Sequence, residues 1–253
     1  MKLFGRELPA MTSLLVWAVL WEIVGQLDLT ILLPPLSDIL AKMIEIVPTA
    51  SFMKALGVTG RAFLIGSGFA ILIGVPVGVL MGKNVLLDRL LLPWVNMFLS
   101  APLTALVPVL MVLFGIGEQT VIITTTLFAI WIIVLDSRAG VKQISPSLVE
   151  MARSFGATPW AAFAKVYVWA AMPEILAGIR IGFIRAVKGV IIGQLLVSIV
   201  GFGHLFELYS SNFLMEHFWA LLLVLFFFAF TIAEGLAALE RRVHYYAANR
   251  TIA

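Results

Sequence analysis

Two sets of polar residues interrupt a chain that is otherwise mostly apolar. The first lies in the stretch EMARSFGATPW, residues 150–160, where Glu150 and Arg153 can exchange charge-assisted hydrogen bonds with a partner surface. The second lies further on, where Arg180, Arg185 and Lys188 precede Gln194 and Ser198 within an apolar run. Cations inside a lipid-embedded helix are costly enough to imply a function, and a path lined by them favours an anion. Sets suited to covalent or acid–base catalysis are missing. The absence of cysteine removes thiolate nucleophiles, thiolate metal sites and disulfides together. His204, His217 and His244 stand at no metal-ligand spacing, so no metal is expected. There is no Gly-x-x-x-x-Gly-Lys-Ser/Thr phosphate loop, and no Ser–His set or aspartate pair falls in an apolar run. An enzyme is therefore not expected, and neither is a catalytic residue or a cofactor bound by this chain.

The elements that must position these residues are membrane helices. Hydrophobic residues make up 62% of the chain and charged residues 12%, against roughly 25% charged in soluble domains. The mean hydropathy is +1.07. A bilayer core takes about 20 apolar residues as helix. That ruler predicts an all-α integral membrane protein, a single domain over 1–253, with six spans near 10–27, 56–81, 90–114, 120–135, 175–200 and 218–239. The first run follows Lys2 and Arg6 as a signal peptide would. Gly25-Gln26-Leu27 offers no small-x-small cleavage site, so it reads as a retained anchor.

Six spans put both termini on one side. If that side is cytoplasmic, it holds eleven cations: Lys2, Arg6, Lys83, Arg89, Arg138, Lys142, Arg153, Lys165, Arg241, Arg242 and Arg250. The other side holds two, Lys42 and Lys54. The positive-inside rule then places both termini in the cytoplasm and accounts for the pI near 9.3 without nucleic acid.

Between the fourth and fifth spans lies a long cytoplasmic loop, 136–174, where connections between packed helices usually take about two to eight residues. Ser145-Pro146 is a helix start and Gly156 suits the left-handed residue that closes a helix, predicting a helix over 146–155. Thr158-Pro159 starts a second helix that runs toward the membrane past Pro173. On the first helix Leu148, Met151, Ala152 and Phe155 share one face, within an arc of about 100°, and Ser147, Glu150, Arg153 and Ser154 share the other. A helix lying on lipid headgroups would carry several basic residues and no Glu150, so docking to protein is the better reading.

Glu150-x-Ala152-x-x-x-Gly156, on a loop ahead of the penultimate span and followed by Ile175-Leu-Ala-Gly-Ile-Arg180-Ile-Gly182, resembles the EAA loop of permease subunits in bacterial ATP-binding cassette importers. The resemblance spans about 56–239. Met151 replaces a usual second alanine and Trp169 the first of two prolines, while Pro173 keeps the second. The run 193–203 is similar to the nitrate, sulfonate and taurine branch of that family.

The resemblance implies a multi-pass permease in the bacterial inner (plasma) membrane. Its expected partners are a cytoplasmic ATPase dimer that holds ATP and Mg, an extracytoplasmic substrate-binding protein and a second permease copy. That copy is expected to make a homodimer, with a related subunit as the alternative. The helix pair of the 145–173 loop would be the coupling helix. Glu150 would accept hydrogen bonds from the ATPase, and Leu148, Ala152 and Phe155 would fill its groove. Met151 and Arg153 would share that surface, and Gly156 would allow the turn. The solute would be a small organic or inorganic anion such as a sulfonate or nitrate, passing Arg185, Lys188, Gln194 and Ser198. A secondary carrier or channel is the alternative; it leaves the helix pair unexplained.

Further expectations concern packing. Gly74, Gly78 and Gly82 lie along one side of the second span, within the subunit or across a dimer. Pro93, Pro102 and Pro108 should bend the third. Asp38, Glu45, Glu207 and Glu216 are candidate contacts for the binding protein, and Glu22 or Glu234 could neutralise the cations of the fifth span.

Overall fold

A computed structural model describes residues 2–3, 6–7, 10–197 and 199–248, with side chains described for 12–235 apart from 159, 164 and 198. A two-residue antiparallel pair, Lys2–Leu3 with Arg6–Glu7, precedes a chain that is otherwise helical.

Three helices carry the core: α3 (Ala50–Lys83), α6 (Glu118–Lys142) and α9 (Val168–Val197). Helices in lipid gain little from burying apolar surface against one another, so close backbone approach decides which faces meet. On α3 the glycine stripe meets α6: a Cβ on Gly74 would stand 3.1 Å from Ile133 Cγ2, on Gly78 2.4 Å from the Val134 carbonyl, and on Gly82 2.6 Å from Val141 Cβ. The stripe therefore packs inside the chain. α9 approaches an adjoining side of α6 in the same manner, through Gly178 against Asp136, Gly182 against Ile133 and Gly189 against Phe128, so that Ile133 is held between Gly74 and Gly182. Two of the threonines that α6 buries satisfy their hydroxyls on its own carbonyls, Thr124 on Thr120 and Thr125 on Val121, both at 2.8 Å. Thr126 reaches across to the Gly66 carbonyl at 3.0 Å.

Local chemistry sets the ends of these elements. Thr49 caps α3 by accepting from the Phe52 N–H, and Asn84 both ends α3 and caps α4 (Val85–Ser100) through the Leu86 and Leu87 N–H groups. The run 90–114 is not one straight span. α4 stops at Ala101, which Pro102 holds in an extended conformation. The chain then makes a 3-10 turn, Leu103–Leu106, and enters α5 (Val107–Phe114) at 95° to α4. Pro93 is carried inside α4, and Pro108 sits in the first turn of α5, where its missing N–H leaves no bond unmade.

α1 (Ala10–Gln26), α2 (Leu36–Ile46), α10 (Gly201–Ser211) and α11 (Met215–Ala248) complete the described helices with α7 and α8, given below. α2 and α10 lie between the expected spans; they fold because Ile39, Ile46, Phe202, Leu205 and Phe206 bury together with Leu221 and Leu225 of α11. Trp21 and Trp219 stack edge-on at 4.9 Å and donate to the Pro34 and Leu32 carbonyls, fastening the 27–35 connection. Among the described residues three helices are long and apolar enough to cross a membrane singly, and two bent pairs raise that to five. The expected six requires α1, whose 17 residues fall short of the about 20 that a bilayer core takes.

Candidate functional site

The segment 136–174 is shorter as a loop than its sequence predicts. α6 continues to Lys142, because Arg138 and Lys142 both reach one carboxylate, Asp88 of α4. Only 143–145 then separate α6 from α7 (Pro146–Ser154). α8 (Pro159–Ala162) begins on the Thr158 side chain, which accepts from the Ala161 N–H at 3.2 Å, and passes through a π-helical turn, Phe163–Tyr167, directly into α9. No break occurs at Trp169, and Pro173 is carried inside the helix.

α7 ends in two bonds that define its turn. The Gly156 N–H donates to the Arg153 carbonyl at 2.9 Å and the Ala157 N–H to the Ala152 carbonyl at 3.0 Å, the Schellman pattern. Gly156 itself has φ +77°, a region that favours glycine. No residue of α7 is buried. Leu148 and Ala152 are half-buried, whereas Met151 is 51% and Phe155 86% exposed, so the bundle covers the apolar face only in part. Glu150 and Arg153 are exposed as well, and neither makes an ion pair among the described residues.

The polar residues of α9 do not share one surface. Gln194 is 1% exposed; its Oε1 accepts from Thr59 Oγ1 at 3.0 Å and from the Phe202 N–H at 3.2 Å. Gly201, at φ +58°, and Gly203 make room for it, since a Cβ there would stand 2.2 Å and 2.0 Å from Gln194 atoms. Gln194 thus pins the α9–α10 break to α3. Lys188 is exposed on another face without an ion pair among the described residues, and Arg185 is half-buried within electrostatic reach of Asp136. Ser198 lies outside the described residues. Glu22 is engaged with Ser37 and Gln26, and no described ion pair joins it or Glu234 to Arg185 or Lys188.

Three charged groups escaped sequence reasoning. Asp136, just past the 120–135 run, belongs to α6 and lies half-buried against Gly178, so the helix carries an aspartate into the packed core. Arg61, hidden in the second apolar run, makes a two-armed ion pair with Glu118 at the start of α6. Asp88 is 7% exposed beneath Arg138 and Lys142. The signal for the last was the spacing of Arg138 and Lys142, four apart on one helix face. Removing the carboxylate leaves two cations facing each other, one of them largely buried. Asp88→Ala should therefore destabilise the protein by about 3 kcal/mol or more. A markedly lower unfolding temperature in detergent is expected, and an unchanged one would show that the pair contributes nothing.

Glycine-packed apolar helices, cations on a core helix and an exposed amphipathic helix between two core elements make the architecture of a membrane permease. Residues 74–245 match the family described as binding-protein-dependent transport system inner membrane component, and the chain belongs to that family, the permease components of ABC importers. It is similar to the taurine transport system permease protein TauC of Escherichia coli (strain K12), 28% identical over 91% of this chain and 86% of that one. It is also similar to the bicarbonate transport system permease protein CmpB of Synechocystis sp. (strain ATCC 27184 / PCC 6803 / Kazusa), 26% identical over 84% and 80% respectively. Among solved structures, the inward-facing MetNI methionine ABC transporter matches with a TM-score of 0.64 and 25% identity, over 76% of this chain and 96% of that one. α1 and α2 precede the residues matched to the family.

Proposed function

We propose that residues 1–253 form one permease domain which, paired with a second copy, makes the translocation path of an ATP-driven importer for a small anion such as a sulfonate or nitrate. Both termini face the cytoplasm. A separate ATPase, holding ATP and Mg, drives the chain through α7, and an extracytoplasmic binding protein delivers the solute to the opposite side. The observation that carries this reading is α7 itself. Met151 and Phe155 of its apolar face are left uncovered beside Glu150, and it is joined at one end to α6 and at the other, through α8, to α9. A channel or secondary carrier has no use for such an element.

The anion rests on two supports. TauC and CmpB are named for taurine and bicarbonate. Lys188 stands nine residues before the end of α9 at Val197, about 13 Å along a helix axis, and it is exposed. A cation at that depth is too costly against lipid, so its face belongs against water or the second copy. In vesicles containing this chain, its ATPase and its binding protein, Lys188→Ala should lower ATP-dependent taurine or nitrate uptake roughly tenfold, the cost of about 1.4 kcal/mol, at normal protein level. Parallel loss of protein would make Lys188 structural, and uptake without any ATPase would establish the carrier or channel instead.

A further inference from the structure

A cleft of about 370 Å³ lies under α7, walled by the last turns of α3 and α6, by α7 and by the π-helical turn ahead of α9. Three cations reach it. The Lys83 ammonium stands over the Phe163 and Tyr167 rings, 5.2 and 5.5 Å from their centroids, and has no carboxylate partner among the described residues. Arg153 is likewise without one. Lys142 gives one contact to Asp88, but its side chain is 42% exposed and an ammonium carries three donors. Glu150 is the one acid lining the cleft, and Tyr167 adds a hydroxyl.

We propose that this cleft binds a phosphate group, carried by an anionic lipid or free in solution, and that the bound phosphate ties α7 to the ends of α3 and α6. A guanidinium fork and two ammonium groups suit a tetrahedral anion with several acceptor oxygens better than they suit a single carboxylate. The place agrees. Lys83 and Lys142 end two of the membrane-length helices, so the cleft opens at the level where lipid phosphates lie. Its volume falls within the roughly 300–1,000 Å³ of small-ligand sites. The site does not depend on α7 docking to an ATPase.

The test uses the full chain in detergent, without an ATPase, so its outcome is separate from that of the coupling reading. Native mass spectrometry with phosphatidylglycerol and phosphatidylcholine would read retained lipid. The unaltered chain should hold phosphatidylglycerol preferentially, and Lys83→Gln with Arg153→Gln should weaken that binding roughly tenfold or more, at about 1 kcal/mol per cation. Lys54→Gln, whose side chain lines a different pocket with His204, should leave it unchanged. Inorganic phosphate that strips the lipid assigns the site to free phosphate; lipid that resists it assigns the site to the headgroup. Equal retention of the two lipids by the unaltered chain, with no effect of inorganic phosphate, overturns the proposal without any variant. Equal phosphatidylglycerol binding by a monodisperse double variant overturns it as well.

Discussion

Glu150→Ala and Gly156→Pro should each uncouple the importer, leaving ATPase activity that no longer drives uptake while the chain still inserts in the membrane. Both expectations rest on the proposed role of α7. Glu150 is exposed and makes no ion pair within the described chain, so removing its carboxylate costs this subunit little. What it removes is hydrogen bonding of a charged group to the partner, worth about 1.5–3 kcal/mol, or roughly a ten- to hundredfold weaker engagement. Gly156 fails differently. Proline holds φ near about −65° and has no N–H, whereas this position needs φ +77° and a donor to the Arg153 carbonyl. The closing turn is lost and α7 no longer meets its partner at a fixed angle. Gly156→Asn, which tolerates the left-handed region, should keep most of the uptake. Unchanged uptake in both Glu150→Ala and Gly156→Pro would remove α7 from the drive.

Gly78→Val should abolish the folded protein. The first atom added would stand 2.4 Å from the Val134 carbonyl and 2.7 Å from Ser137 Cβ, so the obstacle is largely main chain and cannot rotate away. Overpacking a core costs about 1–3 kcal/mol when side chains yield. Here α3 and α6 must separate along their length, and the loss exceeds that range. Gly68, ten residues earlier on the same helix, is the control because nothing lies within 4 Å of its added Cβ. Gly68→Ala should be neutral or slightly stabilising, by up to about 1 kcal/mol of helix propensity. Membrane-inserted, monodisperse protein from both variants in equal yield would mean that the stripe does not set the α3–α6 contact.

The two substitutions also mark how far the sequence could be read. α7 was legible because its signals are local: a cap, a proline at the first turn, a glycine where the helix closes, and a face set by 3.6-residue periodicity. The glycine stripe was legible as a packing surface, but its partner was not, since Ile133, Val134 and Val141 of α6 lie more than fifty positions away. Distance along the chain hid Arg61 with Glu118 and Asp88 with Arg138 for the same reason. Helix reaches further into 136–174 than its local signals mark. Arg138 and Lys142 in fact lengthen α6 by finding a shared carboxylate. The different surroundings of Lys188 and Gln194 could not be read from helical angle, which does not say which side of α9 meets α6; Gly178, Gly182 and Gly189 do.

The three-residue link from α6 to α7, and the unbroken helical passage from α8 into α9, mean that anything pressing on α7 presses on both core helices at once. Glycine against side chain and main chain at 178, 182 and 189 keys those helices together, so they cannot slide past one another to absorb the stroke. α3 packs against both of them, through Ala62, Phe63 and Ala70, so the three helices are held as one bundle. A push on α7, as the proposed coupling requires, would therefore tilt three helices rather than one. Leverage in this permease is stored in its smallest side chains.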